Sequence, residues 1–208
     1  MTCFFILCQK INRSDRYFRF CGLALFFAAI PVLAGCTGAA VGAGAAVGVA
    51  AFEERTIGTV ADDTKTSAQI RLAILDRGTD YTLKIGVEVF EGRVLLTGAV
   101  PTEQMRATAV KTAWKVSGVK DVLNEIQISS TNLVESARDI WISAQLTSKI
   151  TFDENIHAIN YVIETVGGTV YLLGIAQNQI ELDRVINHTR NIKYVKNIVS
   201  HVRVKGNS

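Results

Sequence analysis

Two periods of hydrophobic residues alternate along the chain from position 62 onward. A period of four, as at Ile70 and Ile74, predicts a helix with one apolar face. A period of two, as at Val87 and Val89, predicts a strand whose alternate side chains are buried. Gly92 follows that strand, where glycine provides the positive φ that a tight hairpin turn requires. The pattern therefore predicts a helix followed by a β-hairpin.

A second helix and a last strand complete the unit. Pro101 suits the first turn of this helix, and Gly118 suits the cap at its C-terminal end. Val122, Ile126 and Ile128 then recur at even spacing, which predicts the buried face of a strand. The order α, β, β, α, β predicts an α+β fold, in which two helices cover one face of a three-stranded sheet.

The same pattern occurs twice, at a constant offset of 76 residues and without a gap. The segments SAQI, EGRVLLTG and VKDVLNEIQI correspond to SAQL, GGTVYLLG and VKNIVSHVRV in the second copy, where Tyr194 replaces Gly118. An internal repeat of this kind predicts two small domains, and a short linker favours packing of one against the other. We expect the first domain at residues 62–128, the linker at 129–135, the second domain at 136–204 and a tail at 205–208.

The repeated segments carry a family resemblance. VEVFEGRVLLTGAVPTEQMRATAVKTAWKVSGVKDVLNEIQI resembles a BON domain, and ETVGGTVYLLGIAQNQIELDRVINHTRNIKYVKNIVSHVRV resembles a second, more diverged one. The shared motifs are the G-x-V-x-L-x-G hairpin and the G-V-x-x-V-x-N turn, from which Tyr194 and Ser200 depart in the second copy. The resemblance implies two tandem αββαβ domains. It also implies phospholipid binding and support of the cell envelope, without catalytic residues.

The N-terminal residues predict export. Four basic residues precede an uncharged run over 20–35, which is typical of a signal peptide, and Pro31 and the short run disfavour a retained membrane span. The run ends in LAGC, which resembles the lipobox of bacterial lipoproteins and implies cleavage before Cys36 and acylation of its thiol. We expect a signal peptide at 1–35 and a lipidated Cys36 with a Gly/Ala-rich tether at 36–61. Thr37 implies sorting to the outer membrane, on its periplasmic face.

The net charge of the chain falls to zero when the predicted signal peptide is excluded. Four of the 22 Lys and Arg residues and one of the 19 Asp and Glu residues precede Cys36, which leaves 18 of each and no net charge. Nucleic-acid-binding proteins normally carry a basic excess, so we expect no nucleic-acid partner.

Candidate catalytic groups are few in the chain after the leader. The histidines are His157, His188 and His201, which form no His-x-x-x-His pair, and we expect each to be a surface polar residue. The acidic pairs 62–63 and 153–154 are expected at helix or loop ends, where acidic side chains favour helix N-termini or remain solvated. Glu88 and Glu164 are expected to point outward from strands. We therefore predict a protein that is not an enzyme, with no cofactor, no metal and no small-molecule substrate.

The first helix of the second copy differs most from its counterpart. A helical projection places Ile142, Leu146 and Ile150 on the core face and leaves Ile140 and Trp141 outside it. A Trp beside an aliphatic residue, on a chain already tethered to a bilayer, is typical of a membrane-interface anchor. The first copy has Thr and Lys at the two corresponding positions.

Basic residues accumulate in the second copy after Asp183. We predict that Arg184, Arg190 and Lys193 flank Trp141 and that this surface binds an anionic phospholipid membrane. His201, Arg203 and Lys205 are expected on the exposed side of the sheet. Two alternatives remain open for Trp141, namely docking of an envelope protein by an interaction scaffold and burial against the first domain.

Overall fold

The computed structural model of the protein describes residues 53–129 and 133–206. The predicted signal peptide, Cys36 and most of the predicted tether lie outside the described residues. No helix in the described part of the chain combines the length and the apolar character that crossing a bilayer requires.

Each half of the described chain contains the predicted helices and strands, together with one short additional helix. The first half consists of α1 (Ile57–Leu75), α2 (Thr79–Lys84), β1 (Ile85–Phe90), β2 (Arg93–Val100), α3 (Glu103–Ala113), β3 (Asp121–Asn124) and β4 (Gln127–Ile128). The second half consists of α4 (Leu133–Thr151), a 3-10 helix (Ala158–Asn160), β5 (Tyr161–Val166), β6 (Thr169–Ala176), α5 (Gln179–Arg190) and β7 (Asn197–Val204).

The two sheets have the same topology. In the first, β1 and β2 form an antiparallel hairpin and β3 pairs parallel to β2; in the second, β5, β6 and β7 repeat this arrangement. The last strand of the first half is interrupted, because β3 and β4 pair separately with β2. The α+β fold with two tandem αββαβ units is therefore confirmed.

The helices pack on one face of each sheet, as the hydrophobic periods predict. Ile70 and Ile74 of α1 are buried against the first sheet, and Ile142, Leu146 and Ile150 of α4 are buried against the second. Each such side chain stabilises the fold by roughly 1.5–3 kcal/mol. One prediction here is wrong: Ile128 is 45% exposed, because it lies on the short strand β4 at the end of the first half.

Helix α1 begins before the predicted domain boundary. Its first residue is Ile57, and the hydroxyl of Thr56 caps it by accepting a hydrogen bond from the backbone N–H of Thr59 at 3.1 Å. Arg55 is also held, since its guanidinium pairs with Asp63. Helix α1 therefore includes the last residues of the segment expected to form the tether. Helix α4 likewise begins at Leu133, inside the predicted linker.

The two sheets pack against each other through the faces that the helices leave free. Phe90, Leu95 and Ala99 of the first sheet form one core with Tyr171 and Leu173 of the second. This third core adds to the two small cores under the helices, each of which is marginal for a domain of this size. Packing of the two copies is therefore confirmed, and the sheet faces opposite the helices lie largely between the two domains.

Candidate functional site

A buried aspartate positions the first helix of each half against its hairpin. Asp63 accepts the backbone N–H of Glu91 at 2.7 Å and that of Gly92 at 2.8 Å. Asp139 accepts the N–H groups of Gly167 and Gly168 at 2.7 and 2.8 Å. The expectation that Asp63 lies at a helix or loop end is therefore wrong, since it is buried inside α1, where a carboxylate that accepts two N–H groups is stable. The sequence does contain a signal for this shared role, because both aspartates lie four residues before a Ser-Ala-Gln segment and so occupy the same position of the repeat.

Asp139 fixes the orientation of the residues that follow it on α4. Ile140 is 71% exposed and Trp141 is 42% exposed, whereas Ile142 is fully buried. Trp141 makes an edge-on contact with Tyr194, with ring centroids 6.0 Å apart and planes at 70°. Both rings belong to the second half, so Trp141 packs beside Tyr194 and is not buried against the first domain.

Two cations lie over the Tyr194 ring. The Arg138 guanidinium carbon and the Lys193 ammonium nitrogen are each 4.7 Å from the ring centroid. The hydrogen bond and charge of Lys193 lower the pKa of the Tyr194 phenol below its ordinary value. We call Arg138, Ile140, Trp141, Lys193 and Tyr194 the Trp141 surface. Sequence reasoning missed Arg138 and Tyr194, although Arg138 lies one helical turn before Trp141.

The prediction that Arg184 flanks Trp141 is wrong. Its guanidinium is 3.6 Å from the carboxylate of Asp153, which follows the C-terminal end of α4. Trp141 lies roughly ten residues before that end, a distance of about 15 Å along a helix. The hydrogen bond from His188 at 2.8 Å, and after it the hydrogen bond from the backbone of Asn155, lower the pKa of Asp153 to about 2. Arg190 is exposed and lines a surface depression beside β7, without a described contact to Trp141.

The basic residues of β7 and its end contact the first half. His201 and Glu125 are 2.8 Å apart, Lys205 and Glu54 are 2.9 Å apart, and Arg203 pairs with Glu91. Arg203 and Lys205 remain exposed, as predicted, whereas His201 is partly buried because this side of the sheet packs on the other sheet. These contacts link the second domain to the first half of the chain beside the apolar core that the two sheets share.

The first half has a pocket where the second half has the Trp141 surface. Positions 65 and 118 correspond to Trp141 and Tyr194, and in the first half they are Lys65 and Gly118. They line an open pocket of about 370 Å³ together with Asp62, Ser117 and Lys120. The exposed aromatic pair therefore occurs in the second domain, and the first domain has a polar pocket at the corresponding place.

A groove of about 380 Å³ lies between the two halves beside Ile140. Leu83, which is 83% exposed, also lines this groove. Glu164 lines it too, and burial together with the charge of Glu88 raises its pKa to about 7, although Arg71 opposes this. Glu88 and Glu164 are thus partly buried beside the domain junction, and the prediction that they simply point outward is wrong.

The three histidines have structural contacts. His188 and His201 contact Asp153 and Glu125 as described above, and the backbone N–H of His157 donates to Glu181 at 2.9 Å. All three side chains remain partly exposed, as expected of surface polar residues. Across residues 53–129 and 133–206, no His, Cys, Asp and Glu side chains are grouped so that they could hold a metal ion.

Comparison with known proteins identifies the repeated unit. The model of the BON domain family matches residues 62–130 and 138–206, which include nearly all the described helices and strands. The chain belongs to the BON domain family. The resemblance inferred from the two hairpin and turn motifs is therefore confirmed, and the chain contains two BON domains.

Three relatives extend this comparison. The chain is 47% identical over 123 residues to the "Uncharacterized protein in gshII 5'region" of Anaplasma centrale, covering 58% of this chain and 82% of the relative. It is 32% identical over 160 residues to the outer membrane lipoprotein DolP of Haemophilus influenzae, covering 76% and 83%. It is 24% identical over 152 residues to the osmotically-inducible protein Y of Escherichia coli, covering 72% and 76%.

Proposed function

We propose that the protein is an outer-membrane lipoprotein whose second BON domain binds anionic phospholipid and thereby supports the integrity of the cell envelope. The observation that carries the proposal is the exposed Trp141, which contacts Tyr194 beneath the cations Arg138 and Lys193. Exposed Ile140 precedes it on α4. An amphipathic ring with neighbouring basic side chains suits the boundary between headgroups and acyl chains. The similarity to a relative named as an outer membrane lipoprotein supports the proposed location.

The energies favour a surface that works together with a lipid anchor. A Lys or Arg near an anionic bilayer contributes about 1 kcal/mol, so Arg138 and Lys193 contribute about 2 kcal/mol, and partial insertion of Trp141 and Ile140 adds to this. Together these contributions make binding of the free protein weak but measurable at high lipid concentration. An acyl chain on Cys36 would hold the domain at the bilayer, where the second contact becomes intramolecular. The LAGC sequence supports this anchor.

We also propose that the protein performs no catalysis. The imidazoles of His188 and His201 are paired with Asp153 and Glu125. The side chains of the Trp141 surface are cationic, aliphatic and aromatic, which suits binding rather than acid–base chemistry.

The test is flotation of residues 37–208 with liposomes. This segment contains every residue of the three hydrophobic cores, so it retains the contacts that fold the protein. We expect flotation with phosphatidylglycerol-containing vesicles, weaker flotation at high salt, and little with zwitterionic vesicles. The Trp141→Glu variant should lose binding.

The chain offers a matched control in its other tryptophan. Trp114 lies on the first domain and is 51% exposed, so Trp114→Glu places the same charge on an equally accessible site. Both variants should keep the circular dichroism of the parent, and Trp114→Glu should float as the parent does. A folded parent that fails to float would refute lipid binding and would favour docking of an envelope protein on the Trp141 surface.

A further inference from the structure

We propose that Tyr194 is a second membrane-contacting residue, which the second domain retains at the expense of its own stability. The inference rests on the proposed lipid binding and deepens it. The corresponding residue of the first domain, Gly118, has only a structural role in the turn. On our proposal, Tyr194 has a binding role in addition.

The backbone of Tyr194 has an unfavourable conformation. Its φ is 73°, and the corresponding Gly118 has a φ of 93°. Left-handed backbone costs little for glycine but is unfavourable for a residue with a Cβ atom, because the Cβ approaches the following carbonyl oxygen. Glycine at position 194 would therefore make the turn without strain.

The turn does not require the tyrosine side chain. In the second half, Lys196 N–H donates to the carbonyl of Gly168 at 2.8 Å, and in the first half Lys120 N–H donates to Gly92 at the same distance. The same hydrogen bond thus forms with Tyr194 or with glycine in the turn. The Tyr194 side chain is 46% exposed and belongs to none of the three buried cores. Its strain is not offset by burial in a core.

The side chain instead completes a surface that faces solvent. Tyr194 lies in the turn between α5 and β7, whereas Trp141 lies on α4, so the two rings bring separate segments together at 6.0 Å. Arg138 and Lys193 border the Tyr194 ring and supply positive charge. A phenol has an apolar body and a hydroxyl that can bond a phosphate oxygen, which suits the headgroup region. Charge complementarity thus identifies the occupant as an anionic phospholipid surface.

Strain at a solvent-exposed side chain is typical of functional sites, where the surrounding structure maintains an unfavourable conformation. A tyrosine that only supported Trp141 would be a structural residue, and its removal would lower stability together with binding. A tyrosine that contacts lipid should show the opposite relation, with binding lost and stability unchanged or increased. The two roles therefore predict different results for one substitution.

The experiment compares Tyr194→Gly with the parent in the 37–208 protein, using titration with phosphatidylglycerol vesicles and thermal unfolding. We expect the vesicle affinity to fall by a factor on the order of ten, while the unfolding midpoint stays the same or rises. Tyr194→Phe should retain most of the affinity, because it keeps the ring. Phe152→Gly is the matched control, since Phe152 is 84% exposed in the same domain but lies beyond the far end of α4, and it should leave affinity unchanged.

The outcomes separate this inference from the proposed function. If Tyr194→Gly binds as tightly as the parent while Trp141→Glu loses binding, lipid binding stands and the role of Tyr194 is refuted. A lower unfolding midpoint for Tyr194→Gly would show that the side chain is structural and would also overturn the inference. If the parent itself does not bind vesicles, both proposals fail.

Discussion

Replacing Asp139 by alanine should destabilise the protein strongly, because this carboxylate joins α4 to the β5–β6 hairpin. Asp139 is 7% exposed and accepts the N–H groups of Gly167 and Gly168. Hydrogen bonds to a charged group contribute about 1.5–3 kcal/mol each, and a buried N–H without an acceptor carries a penalty of similar size. Two such bonds give an expected loss of about 3–6 kcal/mol in the free energy of unfolding.

Urea unfolding followed by circular dichroism measures this loss. Asp63→Ala should cost at least as much, because Asp63 makes the same two bonds in the first half and also pairs with Arg55 at 3.2 Å. Asp62→Ala is the matched control, since Asp62 is an exposed neighbour, and it should change stability by no more than about 0.5 kcal/mol.

A loss of less than about 1 kcal/mol for Asp139→Ala would refute the reasoning. It would mean that the two N–H groups reach water once the carboxylate is removed, so that the aspartate is not needed to hold the turn. A loss confined to Asp63 would show that the Arg55 ion pair, rather than the shared turn contact, is the stabilising interaction.

Two further predictions concern close packing and pH. Gly174→Ala should abolish the cooperative thermal transition, because a Cβ there would lie 1.9 Å from the carbonyl oxygen of Asn160 and the residue has a φ of 148°; a folded variant of normal stability would contradict this. Glu164→Gln should raise the urea midpoint at pH 8 but not at pH 4. Burial and Glu88 raise the pKa of Glu164 to about 7, so the parent should lose stability as pH rises from about 4.5 to 7, and the variant should not. Identical pH profiles would refute this assignment.

Much of the fold was predictable because it depends on local sequence. The spacing of Ile70 and Ile74, and of Val87 and Val89, identifies the side of each helix or strand that must be buried. The repeat at an offset of 76 residues then predicted that both halves have the same fold. The exposure of Ile140 and Trp141 followed from the same reasoning, since the core stripe of α4 is complete without them.

The arrangement of the candidate site was less predictable, because it depends on contacts between distant segments. Arg184 and Lys193 look equivalent in the sequence, yet Arg184 pairs with Asp153 and Lys193 contacts Tyr194 beside Trp141. Arg184 lies in the middle of α5 and Lys193 follows its C-terminal end, so the direction in which α5 crosses α4 decides which of them lies near Trp141. No local period specifies that direction.

The sequence by itself determined the two αββαβ units, their core-facing residues and the exposed tryptophan, because burial periods and turn residues act over a few positions. Only the tertiary structure decided that the free faces of the two sheets pack together, which turns His201, Arg203 and Lys205 into contacts between domains. It also decided that Tyr194 stands beside Trp141 with a left-handed backbone. These features depend on which surfaces meet in space, and that is set by the packing of the whole unit.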